Sequence, residues 1–207
     1  MIMETLGLFS LGLMVGLSGA VIPGPLLAFT VYDSTRKGQA TGHLIILGHI
    51  VWELIVILVI FLGFGWMIFQ NRSLIYSLGG PVLVLMGLGM VRSRVGKVEL
   101  ERSRIDSSLV GGVFYTAFNP TQPLWWATAG LALLLKGLEV MDLMGVVMVT
   151  AGHWVSDFAY YVFISLMVHR YRTVIVPHQL LLSRVLGVFL TVLGGYFILD
   201  ALTSTFS

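Results

Sequence analysis

From residue 54 to residue 62 every side chain is apolar, and stretches of similar character recur along almost the whole chain. About 20 mostly apolar residues cross the hydrocarbon core of a bilayer as a helix. On that criterion six spans are expected, over residues 6–32, 43–64, 74–91, 109–135, 143–168 and 184–203. Only 11% of the 207 residues are charged and 57% are hydrophobic, with a mean hydropathy of +0.94. A soluble domain carries about a quarter charged residues, so a water-soluble fold would lack polar surface. These numbers exclude a soluble enzyme, a nucleic-acid binder and a disordered scaffold. The pI near 9.0 is no nucleic-acid signal, because the net charge is only +2 and the basic residues flank the spans. Cysteine is absent, which removes disulfides, thiolate metal sites and thiol redox chemistry. Glu4 and the lack of Lys or Arg before the first span give no basic leader, so the start is read as part of the mature protein.

The connections hold nearly all the charge. The longest, residues 92–108, contains Arg92, Arg94, Lys97, Glu99, Glu101, Arg102, Arg104 and Asp106 and separates two halves, 1–91 and 109–207, of three spans each. Ten of the chain's 12 Lys and Arg residues lie in or beside connections 1, 3 and 5, leaving only Arg72 and Lys136 on the other side. Positive residues stay cytoplasmic, so connections 1, 3 and 5 are expected in the cytoplasm and both termini outside. Halves with an odd number of spans then run in opposite senses, which is the requirement for an inverted repeat.

Placement of features repeats between the halves. The first span of each is interrupted, at Pro23-Gly24-Pro25 and at Asn119-Pro120-Thr121-Gln122-Pro123. The second span of each carries a Gly-His pair with an acid four residues after the His: Gly48-His49 with Glu53, and Gly152-His153 with Asp157. Lone Pro81 in span 3 is read as a plain kink. Glu53 and Asp157 are the acids that lie near the centre of a span, where insertion of a charge costs about 2.5–3.5 kcal/mol. Such a residue faces a cavity, pairs with another group, or serves as neutral packing glue between helices. Spacing of four places each His and its acid on one helix face, a plausible proton relay. His43, His169 and His178 are expected at the solvated edge.

A broken span exposes backbone groups that lipid cannot satisfy, so breaks belong beside a cavity or inside the protein. The half-helix that follows presents free N–H groups and suits an anion. Pro23, Gly24, Pro25, Asn119, Pro120 and Gln122 are therefore the candidate substrate-binding residues. His49, Glu53, His153 and Asp157 are the candidate coupling residues. Gly12, Gly16, Gly38, Gly42, Gly194 and Gly195 are read as surfaces for close helix packing. Trp125, Trp126 and Trp154 wall a substrate path or pack the core. Asp33, Arg36 and Lys37 anchor or gate the end of span 1.

Pro23-Gly24-Pro25 followed by Gly38, Gly42 and Gly48 resembles the signature of the lysine exporter and homoserine/threonine efflux family (LysE/RhtB). Asn119-Pro120 with Trp125 and Trp126, and the Leu186-Gly187 to Gly194-Gly195-Tyr196 stretch, are similar to that family's second half. The resemblance implies an all-α membrane exporter of amino acids or related small metabolites in a prokaryotic cell membrane. Its partners would be a small-molecule substrate and the lipid bilayer, with a second copy of the chain as a further candidate and no nucleic acid. No cofactor is expected; the coupling ion would be a proton, with sodium the alternative. A different cargo remains on the same residues: His49, Glu53, His153 and Asp157 would also form an N/O ligand set for a divalent metal. No nucleophile stands beside a base, so the chain is read as a non-enzyme.

Overall fold

The computed structural model describes residues 2–64, 72–92, 107–119 and 121–205. Among these the chain is helical, without a strand. Helix α1 (Ile2–Ala20) stops just before the Pro-Gly-Pro block, and α2 (Pro25–Lys37) starts within it. The chemistry is local. Pro23 disfavours a helical conformation at Ile22, Gly24 takes extended backbone as the N-cap, and Pro25 occupies the first helical position, where its missing N–H costs nothing. Helix α2 ends at Gly38, whose φ of +92° suits glycine and whose N–H donates to the Ser34 carbonyl.

Helix α3 (Thr41–Val59) runs on through a π-helical turn (Ile60–Phe64), and α4 (Arg72–Arg92) passes through Pro81. Ser107 caps α5 (Ser108–Ala117) by accepting the Val110 N–H at 3.3 Å. The second break follows at Phe118 and Asn119. The Asn119 side-chain oxygen then accepts from the Thr121 N–H at 3.2 Å and the Thr121 hydroxyl at 2.8 Å, organising the start of α6 (Thr121–Trp125). A π-helical turn (Trp126–Gly130) leads into α7 (Leu131–Arg170), which doubles back at Met141 and Asp142; Asp142 has a φ of 48°. Gly137 and Gly145 face each other backbone to backbone across this bend. Only Tyr171 then separates α7 from the last helix, α8 (Arg172–Thr205).

The principal partner of each long helix lies in the other half of the chain. Helix α1 packs on the second arm of α7, with Gly12 against the Val149 backbone and Gly152 against Phe9 and Leu13. Helix α3 packs on α5, with Gly48 against Leu109 and Val113 and Gly112 against Ile45. Helix α4 packs on α8, with Gly80 against Gly194 and Gly87 against Gly187. Two apolar clusters lie on either side of the middle of α3. One contains Ile45, Ile46, Phe29 and Tyr161; the other contains Val56, Ile60, Trp126 and Val149.

Large apolar side chains cover the outside, with Leu58 59%, Leu62 65%, Leu85 70% and Val192 67% exposed. Water does not tolerate so extensive an apolar exterior, whereas lipid requires it. Ile2–Ala20, Thr41–Gly63 and Arg184–Thr203 are the described helices long and apolar enough to cross a membrane. The protein is membrane-embedded.

Several sequence readings need amendment. The region between spans 5 and 6 reads as a connection because it is charged, yet α8 already begins at Arg172, since charge opposes burial in lipid but not helix formation. Gly38 ends a helix rather than packing one, and Gly195 has open space around it, unlike Gly194. Asp33, read as an anchor or a gate, is buried: its side chain is 1% exposed, 2.9 Å from Lys37 Nζ, and accepts from Ser108 Oγ at 2.7 Å. Of the central linker, residues 93–106 lie outside the described residues, as does Pro120 of the second break.

Candidate functional site

Close approach of backbones sets the site. Because Gly48 has no side chain, α3 seats directly on α5; because Gly152 has none, α7 seats on α1. The next residue in each helix, His49 or His153, is thereby carried inward. One turn later Glu53 and Asp157 follow on the same faces, both 2% exposed. The four side chains meet between α3 and α7.

Glu53 is the hub. Its Oε1 accepts from Trp126 Nε1 at 2.8 Å and its Oε2 from Trp154 Nε1 at 3.0 Å. His49 Nε2 lies 3.1 Å from Oε1, and His153 Nε2 lies 3.3 and 3.2 Å from the two oxygens. Asp157 Oδ2 is 3.1 Å from His153 Nε2 and 3.5 Å from His49 Nε2, in ion-pair range without hydrogen-bond geometry. The pairs cross as well as run along each helix: His49 reaches Asp157, and His153 reaches Glu53. The His153 ring is held by Trp125, stacked at 4.9 Å, and by Trp126, edge-on at 5.0 Å.

A cavity of about 420 Å³ opens beside this cluster and reaches both helix breaks. Gly24, Asn119, Thr121, Gln122 and Trp125 line it together with the four His and acid side chains. At the first break the N-terminus of α2 has no side-chain cap, so its leading N–H groups lack the usual protein partner. Asn119 Nδ2 stands beside Gly24, 3.4 Å from where a Cβ would be. Gln122 is 7% exposed, and among the described residues neither of its amide atoms has a hydrogen-bond partner. A buried primary amide left unpaired is costly, and the exception asks for an explanation.

Nine of the ten residues singled out in the sequence can be located. The structure gathers His49, Glu53, His153, Asp157, Gly24, Asn119 and Gln122 around one cavity. Pro23 and Pro25 shape the break without lining the cavity, and Pro120 lies outside the described residues. Three contributors escaped assignment: Trp126 and Trp154 as donors to Glu53, and Thr116, whose hydroxyl is 3.0 Å from His49 Nδ1. The available signal was tryptophan deep in a span, because a buried indole N–H requires an acceptor.

Ligand atoms of His49, Glu53 and Asp157 converge within 4.8 Å of one another, a spacing a metal ion can use. Each Glu53 oxygen already receives an indole N–H, and an indole is a donor only.

Residues 17–201, which include both breaks and both His/acid pairs, match the family model described as LysE type translocator. Comparison with curated proteins and with solved structures gave no match.

Proposed function

The chain belongs to the LysE type translocator family, and from that premise we propose that it exports amino acids or related small metabolites by proton-coupled alternating access. The observation that carries this reading is the convergence of both helix breaks and both His/acid pairs on one cavity of about 420 Å³. That volume lies within the usual range of small-ligand sites, about 300–1,000 Å³.

The proposed framework is six spans in two inverted repeats, with the charged linker between them. Contacts that interchange between the halves support it. Phe9, Gly12 and Leu13 of α1 correspond at a constant interval to Leu109, Gly112 and Val113 of α5; Val149 and Gly152 correspond likewise to Ile45 and Gly48. The α1–α7 contact is therefore the α5–α3 contact with the halves exchanged. In the same way the Gly80–Gly194 contact exchanges with Gly87–Gly187, and His49–Asp157 with His153–Glu53. Rocking about such an axis gives a central site access to each side in turn.

Within the cavity a substrate carboxylate would take the uncapped α2 N-terminus at Gly24 and the amides of Asn119 and Gln122. A substrate ammonium would face Asp157 and Glu53. His49, Glu53, His153 and Asp157 would carry the coupling proton. The metal-cargo alternative rests on the convergence of three ligand atoms alone, whereas the family supports a small-metabolite cargo.

Proteoliposomes under an imposed pH gradient test the reading with candidate amino acids and divalent metals. Wild-type protein should move an amino acid in response to the pH gradient, and Glu53→Gln and Asp157→Asn should abolish this while still inserting in the membrane. Undiminished transport in both variants would overturn it; movement of metal alone would transfer the four residues to a cargo site for cations.

A further inference from the structure

The two histidines occupy equivalent places, but their Nδ1 atoms meet different surroundings. Thr116 of α5 faces His49, and at the same interval that relates Gly12 to Gly112 the residue facing His153 is Gly16 of α1. Thr116 Oγ1 donates to the Gly112 carbonyl at 2.7 Å and lies 3.0 Å from His49 Nδ1. A hydroxyl has one hydrogen. With that hydrogen on Gly112, the contact to His49 is a hydrogen bond only if Nδ1 carries the proton. The opposite assignment would set two bare oxygens 2.7 Å apart.

His153 has no such neighbour. Among the described residues its Nδ1 is buried without a hydrogen-bond partner, and it faces the bare backbone of Gly16, where a Cβ would come within 2.6 Å. A protonated Nδ1 there would be a buried donor with nothing to accept it. With Nδ1 bare, the ring's hydrogen sits on Nε2 and is donated to Glu53, which leaves an unpaired acceptor in place of an unpaired donor.

We propose that Thr116 is a positioning residue that commits His49, and not its counterpart His153, to the form protonated at Nδ1, so that the mobile proton resides between His49 Nε2 and Glu53 Oε1. With Nδ1 protonated and a carboxylate oxygen 3.1 Å from Nε2, that contact needs one further proton, held by the imidazole or by the carboxyl. Every group facing His49 fits this arrangement. Glu53 lies on its own helix; Asp157, His153 and Tyr161 face it from α7, the Tyr161 ring at 6.4 Å; Thr116 faces it from α5. Within the four-residue set His153 then serves as a donor to Glu53, and the asymmetry places the mobile proton on the His49 side. This inference rests on the proton-coupled reading above for its role in transport.

The test is solid-state NMR of 15N-histidine-labelled, full-length protein in lipid bilayers, where protonated and bare ring nitrogens have distinct shifts. Signals are assigned by their loss in His49→Asn and His153→Asn. The wild type should show Nδ1 protonated at His49 and bare at His153. Thr116→Val, which keeps the shape without the hydroxyl, should convert His49 to a bare Nδ1, and Thr116→Ser should restore the wild-type signal. A bare Nδ1 at His49 in the wild type, a protonated Nδ1 at His153, or a His49 signal indifferent to Thr116→Val would each overturn the proposal. The wild-type spectrum tests the two ring states, and the conservative Thr116→Ser, compared with Thr116→Val, tests the part the hydroxyl plays in them. Spectra as expected, alongside transport that ignores the pH gradient, would remove the coupling reading and leave the proton's position standing.

Discussion

Glu53 is surrounded by N–H donors before any substrate arrives, and this preparation makes a buried carboxylate tolerable. An isolated charge at mid-membrane is costly, whereas a hydrogen bond to a charged group contributes about 1.5–3 kcal/mol. Trp126 is fully buried and makes the shortest contact, 2.8 Å. Trp126→Phe keeps most of the ring and deletes the donor. Initial transport rates should fall roughly 10- to 100-fold, and a rate within a factor of two of wild type would contradict this role. The half-buried Trp154, whose contact is longer at 3.0 Å, should give a smaller loss in Trp154→Phe. The His/acid spacing was readable in the sequence because four residues make one helical turn. The tryptophan contacts were not. Helix α3 is apolar on nearly every side, so no amphipathic stripe reveals which way its neighbours' indoles turn.

Glycine decides how the helices meet. Added methyl groups at Gly48 and Gly152 would strike the backbones of Leu109 and Phe9, whereas Gly7 of α1 has open space around it. Gly48→Ala and Gly152→Ala should each lower the thermal midpoint in detergent, by the equivalent of about 1–3 kcal/mol. Gly7→Ala should be neutral or slightly stabilising, since alanine is the better helix former by about 1 kcal/mol. Equal effects at Gly7 and Gly48 would show that backbone contact does not govern the packing. Both helix interruptions were legible because proline acts on its immediate neighbours. The bend at Met141 and Asp142 was legible only as charge, through Lys136, Glu139 and Asp142. The early start of α8 was missed because charge marks the membrane boundary and leaves secondary structure open.

At the scale of the whole molecule, orientation in the membrane is still an expectation drawn from the Lys and Arg distribution. The absence of cysteine makes it directly measurable. Glu139 sits on an exposed turn where its 3.0 Å pair with Lys136 is solvent-facing and worth little, so Glu139→Cys should leave the fold intact. A membrane-impermeant maleimide should label it in intact cells, and label Arg170→Cys only after permeabilisation. The reverse pattern would invert the topology. Apolar run lengths revealed the membrane class and the candidate spans, because hydrophobicity is additive along a chain. Which helix touches which was not legible, since small-residue contacts look alike in every span and only the folded geometry selects among them.

The exchange of partners between the halves bears on how the protein is made. Helix α3 finds its packing surface on α5, and α1 finds its own on the far arm of α7. At a synthesis rate of about 5–20 residues per second, α1 waits on the order of ten seconds for the segment around Gly152 to leave the ribosome. Glu53 is translated 73 residues before Trp126, and 100 and 101 residues before His153 and Trp154. The nascent chain must therefore hold a carboxyl group among lipids with His49 as its nearest helper, and translation of the second half of the chain supplies the donors that it ends up with.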